Sequence, residues 1–445
     1  MTSVVTNDLR KRLLNLLKTD IASDVTNYYI GFAKADSAGA IIEPNSLYSQ
    51  NQVRHTLQGV KRLANASFVI PTVEWAIGEI YEPWSDQDYD QTNFYVVNAD
   101  TNEVFICIAQ GKDNQGDVVS TGIEAPTAAA ASNIGRTFET SDGYQWRYMY
   151  KISNLDYATY RSNSFIPVKN VSEVSFIPEE NEQFDLQSNA IAGEIIRLEF
   201  DSAGNFPSGA PTITIDGNGD SASFYAVLDG DTLIDIRVDS DGNGVALHGS
   251  GYDFASASLS YGDVSLRPVL APKGGLNSNP IESLKSRSLM LQLDIQADEN
   301  GTLLTDNDFR QVVLLDGLQK YDSDGAFQGN TGIAMRGWNI TDFGLQLLQD
   351  EIIVGDTSGA VAKVFSHIIG SKLYYYQDEE TGFKSFQLNE FVEGETSAEI
   401  ARITSVINPD IDAYSGEILY INNVTNAVPR SADQTEDIRI VIQLG

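Results

Sequence analysis

A chain of 445 residues that is 42% hydrophobic and 20% charged has apolar material for about three compact units at roughly 150 residues each, and is not a disordered polymer. Its 29 lysines and arginines against 62 aspartates and glutamates give a formal charge of −33, which repels phosphate backbones and anionic lipid, so neither nucleic acid nor membrane is an expected partner. Cys107 is the only cysteine, and His55, His248 and His367 are the only histidines, which excludes an internal disulfide framework, a four-cysteine zinc site and an HExxH pair.

At the N-terminus, Arg10, Lys11, Arg12 and Lys18 interrupt the apolar residues. The segment is therefore read as neither a signal peptide nor a membrane span, and folding in a reducing cytoplasm is expected. Leu9, Leu13, Leu16 and Leu17 recur at helical spacing behind Asn7, a plausible N-cap. The opposite face carries Arg10, Lys11 and Arg12. It is either a solvated helix face or a docking surface for an acidic neighbour. Residues 27–33 (NYYIGFA) read as an aromatic strand. A second helix is expected over 51–64, with Val53, Leu57, Val60 and Ala64 on one face, ending at 68–71. The following loop crowds Trp75, Tyr81, Trp84 and Tyr89 together. Such rings either pin a loop to a core or form a partner-binding hot spot.

Residues 94–98 and 103–110 read as a hairpin around ADTN, and 111–136 as a long irregular connection. After the Asp142-Gly143 turn, Trp146, Tyr148 and Tyr150 alternate with Arg147 and Met149, the pattern of a strand with one aromatic face. Residues 191–266 are short β patterns split by Gly and Asp, and 285–318 hold longer strands. A second β-rich stretch runs over 340–407, punctuated by Gly355, Gly359, Gly382 and Gly394. The two β-rich stretches share a loose order of strand, glycine turn and Ala-rich strand, which does not align as a repeat. The expected fold is mainly β (α+β), a multi-domain β-sandwich core with a few N-terminal helices and two inserted small β modules. The segments are 1–190, 191–268, 269–320, 321–408 and 409–445.

Two loops alternate calcium-type ligands: Asp216, Asn218 and Asp220, then Asp239, Asp241 and Asn243. Counting from Asp239, Ser250 takes the twelfth position, where an EF-hand needs Glu. Hairpin turns select the same residue types, so turn chemistry is the reading and no metal is assigned. There is no GxSxG, no phosphate loop and no dinucleotide fingerprint. No catalytic residue or cofactor is expected.

Four segments carry a family likeness. The C-terminus offers Ser415–Ile421, Asn423, Val428–Arg430 and Asp433-Gln434-Thr435-Glu436 before a last strand. Asp142-Gly143-Tyr144-x-Trp146-x-Tyr148 is the second segment, Asp308-Phe309-Arg310-Gln311-Val312 the third, and Val69-Ile70-Pro71 through Trp75 the fourth. In this order they resemble the β-rich, dimeric baseplate wedge subunit of T-even-type contractile-tailed phages. The resemblance covers the first 190 residues, 285–318 and 410–445. The segments 191–266 and 320–407 depart from it as added β modules.

The resemblance implies a non-enzymatic structural protein of the virion, assembled in the host cytoplasm. It also implies homodimerisation, contact with other wedge proteins, and a part in the switch that triggers sheath contraction. Candidate interface residues are Trp75, Trp84, Tyr144, Trp146, Arg10, Lys11 and Arg12, with ordinary core packing as the alternative for each aromatic. A host-surface carbohydrate-binding tail protein is the competing reading.

Overall fold

Period-two apolar patterns become strands through most of the chain: 42% is strand and 12% helix, so the protein is mainly β. The computed structural model describes residues 5–23, 27–34, 46–128, 137–242, 245–297, 299–305, 307–342, 344–431 and 433–444; Asn243 of the second Asp/Asn loop lies outside the described residues. The described helices are α1 (Asn7–Ile21), α2 (Leu47–His55), α3 (Asn154–Tyr160), α4 (Pro178–Ser188) and α5 (Pro280–Ser283). The chain divides into two compact units, each discontinuous in sequence. One comprises Met1–Leu14, Ser67–Met290 and Ile442–Gly445, the other Asn15–Ala66 and Leu291–Val441. Residues 15–66 therefore fold with the C-terminal third and not with 67–190.

In the first unit, Tyr95–Asn98 and Glu103–Ala109 form the expected hairpin. Gln145–Lys151 and then Thr137–Glu139 extend it to a four-stranded antiparallel sheet. Residues 68–71 are not a helix end: Phe68–Pro71 pair antiparallel with Phe165–Val168. The aromatic strand does not keep one aromatic face. Tyr150 opposes Val104 and Tyr148 opposes Phe105, so the register slips at Met149. A bulge of this kind reverses side-chain direction. Tyr148 accordingly packs with Tyr144 and Trp146, while Met149 and Tyr150 join the cluster of Ile70, Phe94 and Ile166.

Residues 195–270 form a second sheet in the order Ile213–Gly217, Ala255–Leu259, Leu266–Leu270, Ile195–Phe200, with the hairpin Phe224–Asp229/Thr232–Val238 beside it. Their own apolar cluster is centred on Ile195, Phe206, Phe224 and Leu233.

The second unit holds a five-stranded antiparallel sheet in the order Thr331–Ile333, Leu57–Arg62, Tyr28–Ala33, Asn307–Asp316, Glu417–Arg430. Here the expected helix over 51–64 is corrected. α2 starts earlier, behind a capping box at Ser46 and Ser49, and stops at His55. Leu57–Arg62 is a strand buried on both faces over its first four residues, so its apolar spacing imitates a helix. Gly59 is the discordant residue. A Cβ there would lie 2.6 Å from the Leu303 side chain and 3.1 Å from the Gly332 carbonyl, a close approach of neighbouring backbone that only glycine permits.

Residues 336–407 close into a six-stranded barrel. Its ring order is Arg336–Asp342, Lys372–Tyr376, Val361–Ile368, Ile352–Gly355, Phe391–Gly394, Ile400–Ile407, around Trp338, Ile353, Val364, Leu373 and Val392.

Candidate functional site

The aromatic candidates are spent in the core of the first unit. Trp146 is buried, its ring stacks on Tyr144 at 5.7 Å, and its indole N–H donates to Thr140 Oγ1 at 3.3 Å. Tyr144 donates to the Val119 carbonyl at 2.9 Å. Trp84 is also buried and donates to the Ser283 carbonyl at 2.8 Å. For these three rings core packing describes the environment, and none of them has surface to offer. Trp75 differs: it is half-buried, and its buried indole N–H has no acceptor among the described residues.

α1 is turned differently from its leucine pattern. Thr6 rather than Asn7 caps it, accepting from the Leu9 N–H at 3.4 Å. Lys11 is buried, paired with Glu282 and lying 3.4 Å from Asp8. Leu14 and Ile21 are the buried apolar residues of the helix. The face with Leu9, Leu13 and Leu16 is left exposed. The anchoring charge on Lys11 sets this rotation, because a buried ammonium must keep its carboxylate partner. Arg10 bonds Asn7 at 3.1 Å, and Arg12 is exposed without an ion-pair partner among the described residues.

The Asp/Asn loops close on themselves. Asn218 Oδ1 accepts from the Asp253 and Phe254 N–H groups at 2.9 and 3.3 Å. Asp239 Oδ2 accepts from the Ser223 hydroxyl at 3.3 Å, and Asp241 Oδ1 from the Val245 N–H at 2.8 Å. These bonds are turn chemistry. Among the described residues, no three His, Cys, Asp or Glu side chains are grouped to hold a metal ion.

A buried ionic cluster fastens the start of the 195–270 sheet in the first unit. Arg147 donates through both terminal nitrogens to Glu194 at 3.1 Å each, and its Nε donates to Thr137 at 3.2 Å. Asn277 lies 3.4 Å from the same guanidinium and donates to the Tyr148 carbonyl at 2.8 Å. Burial alone would raise the Glu194 pKa. Arg147, then His248, then the bonds from Arg147 and the Leu276 N–H hold it below the usual carboxylate range. Burial first, then Arg147, pulls His248 down, against Glu194 and the Ile195 carbonyl. Cys107 is buried, and burial pushes its thiol well above the ordinary value, so it is no nucleophile.

The barrel carries an internal sequence repeat. Residues 350–364 (DEIIVGDTSGAVAKV) and 389–403 (NEFVEGETSAEIARI) align without a gap and share Glu351/Glu390, Gly355/Gly394, Thr357/Thr396, Ser358/Ser397 and Ala362/Ala401. Glu390 Oε2 accepts from the Thr357 and Ser358 N–H groups at 3.3 and 2.8 Å, and its Oε1 from the Ser358 hydroxyl at 3.0 Å. Glu351 Oε2 accepts from the Thr396 and Ser397 N–H groups at 3.2 and 2.9 Å, and its Oε1 from the Ser397 hydroxyl at 2.8 Å. Asp350 and Asn389 both have left-handed backbone, with φ of 63° and 67°. The bulges at Phe365 and Thr404 also fall at matching places. The barrel thus contains a duplicated two-stranded unit, Ile352–Gly355 with Val361–Ile368 and Phe391–Gly394 with Ile400–Ile407, whose equivalent residues Val354 and Glu393 oppose each other at a local pseudo-twofold axis. The self-match from 350 onward is the signal of this duplication in the sequence.

Two of the four segments singled out in the sequence, 308–312 and the C-terminal one, pair in the second unit. Strand Asn307–Asp316 pairs with Glu417–Arg430 so that Asp308, Phe309 and Gln311 oppose Pro429, Val428 and Asn423. Gln311 Nε2 donates to Asn423 Oδ1 at 2.9 Å. Arg430 Nε lies 3.1 Å from Glu436, both buried, and its terminal nitrogens donate to the carbonyls of Ala297, Leu303 and Leu304. In the first unit, Asp142 Oδ1 accepts from the Thr140 hydroxyl at 2.6 Å and its Oδ2 from the Gly122 N–H at 2.7 Å. That fixes the turn in which Gly143 adopts φ +82°. Comparison with protein-family models and with curated proteins finds no match. Among the described residues no helix is long and apolar enough to cross a membrane.

Proposed function

We propose that this chain is a structural subunit of a phage tail baseplate wedge. It links neighbouring wedge proteins and takes part in the switch that triggers sheath contraction, without catalysis, as a homodimer in the virion. The observation that carries the reading is the pairing of Asp308–Gln311 with Asn423–Pro429. Two segments that resemble the wedge family are far apart in sequence and lie on neighbouring strands. In these segments Asp142 fixes a turn, Gln311 bonds across a strand pair and Arg430 pairs with the buried Glu436, which suits a protein whose task is to hold shape. A nonsense mutation in the gene, made in the phage that encodes it, tests the reading. The expected result is particles without complete baseplates and loss of infectivity, restored by supplying the protein in trans. Normal, infectious, contractile tails made without the protein would overturn it.

A further inference from the structure

The barrel presents an open groove of about 650 Å³ beside its local pseudo-twofold axis, where Val354 and Glu393 oppose each other on paired strands. Its apolar lining includes Val354, Phe391 and Ile400, the last two each 38% exposed, and its rim carries Asp356, Glu393 and Glu395. No cation lines it. The Glu393 and Glu395 carboxylates have neither ion pairs nor hydrogen bonds among the described residues. Exposed carboxylates on an apolar bed are complementary to apolar side chains flanked by positive charge. α1 supplies that combination. Leu9, Leu13 and Leu16 are 46%, 48% and 52% exposed on one face, and Arg12, between the first two, has no ion-pair partner among the described residues.

We propose that the exposed leucine face of α1 docks into the carboxylate-rimmed barrel groove of a second copy of this chain. Leu9, Leu13 and Leu16 lie along about 10 Å of helix at 1.5 Å per residue. Two leucines fill the apolar floor, and Arg12 meets Glu393 and Glu395. The contact is heterologous, joining helix to groove, and so is distinct from a twofold dimer interface. It goes beyond the wedge reading and stands or falls separately from it. The formal charge of −33 on each copy opposes association at long range. The contact is therefore favoured at physiological ionic strength, where charges more than roughly 8 Å apart are screened.

The test uses the full chain with single surface cysteines, since Cys107 is buried and does not compete. Leu13→Cys protein and Glu393→Cys protein are mixed under mild oxidation at 0.15 M salt. The expected result is a covalent dimer in the mixture and none in either protein alone. A Leu13→Cys dimer formed alone would mean that helix pairs with helix, and would overturn the proposal. No cross-link in any sample would overturn it equally. Sedimentation velocity gives the second readout. Arg12→Glu and the double variant Glu393→Lys/Glu395→Lys each weaken self-association at least about tenfold, a loss of about 1.4 kcal/mol, and mixing the two restores it. Association unchanged in both variants, or lost in both and not restored by mixing, contradicts the proposal. If the lysine variant fails to fold, Glu393→Gln/Glu395→Gln replaces it, with the same loss expected.

Discussion

Glu351 and Glu390 hold each other's turns: each carboxylate accepts the backbone N–H groups and the serine hydroxyl of the Thr-Ser turn in the other repeat. Both side chains are buried, and each is satisfied by N–H and O–H donors alone, with no ion pair to either among the described residues. Hydrogen bonds to a buried charge are stronger than those between neutral groups, and a lost partner leaves several donors desolvated. The two glutamates therefore act as reciprocal clasps across the pseudo-twofold axis.

Glu390→Ala strands the N–H groups of Thr357 and Ser358, and Glu351→Ala strands those of Thr396 and Ser397. Each is expected to cost about 2–4 kcal/mol of local stability. Hydrogen exchange at these four amides measures it. Protection should fall at the turn across the axis from each substitution, to a similar extent in the two variants. Protection lost only beside the substituted residue contradicts the reciprocal arrangement.

Trp146→Ala removes a ring packed between Tyr144 and Tyr81. It is expected to destabilise the first unit by about 3–5 kcal/mol. Arg12→Ala, on the exposed side of α1, should shift stability by no more than about 0.5 kcal/mol. Urea unfolding followed by tryptophan fluorescence separates the two. An unchanged midpoint for Trp146→Ala would contradict its core role.

The Arg147–Glu194–His248 cluster makes the first unit acid-sensitive in two stages. His248 is held below its ordinary value by burial, so the unfolded chain takes up a proton first as pH falls through about 6.5. Stability contributed by neutral His248 is complete above that pH and declines below it. Glu194 is also held low, so its contribution is present above about 4.3 and is lost as pH falls further. Urea midpoints measured from pH 8 to about pH 3 should decline in the order His248, then Glu194. His248→Gln should remove the first decline and keep the second. A midpoint that rises on acidification through this range would contradict the assignment.

Arg430 ties Glu436 to the Ala297, Leu303 and Leu304 carbonyls. Lysine lacks the planar fork that meets several acceptors together. Arg430→Lys is expected to cost about 1–3 kcal/mol, and Arg430→Met more, because the Glu436 charge is then left buried and unpaired. Limited proteolysis should cut within 431–434 faster in both variants. Equal cutting rates in the variants and the parent would contradict the role.

The strands at 94–98 and 103–109 were legible although both of their faces are buried, because their β-branched and aromatic runs flank a polar turn. Leu57–Val60 is equally buried but carries no such turn signal, so it reads as helix by spacing, and only Gly59 argues against it. Alternation places Tyr150 on the face of Trp146, and the bulge at Met149 that moves it away leaves no mark in the sequence. The leucine spacing of α1 does not show which face is buried, because the pairing of Lys11 with Glu282 is not visible in the sequence. The tryptophans were legible as large rings, but whether a ring faces core or solvent depends on tertiary contacts. The reciprocal clasp was readable as a duplication, and the exchange of Glu351 and Glu390 between halves needed the fold.

Immunogold electron microscopy of purified particles of the phage that encodes this chain tests the central claim most directly. The account predicts label confined to the tail baseplate, in extended and contracted particles alike. Label absent from the virion, or confined to the head or the tail fibres, would contradict it.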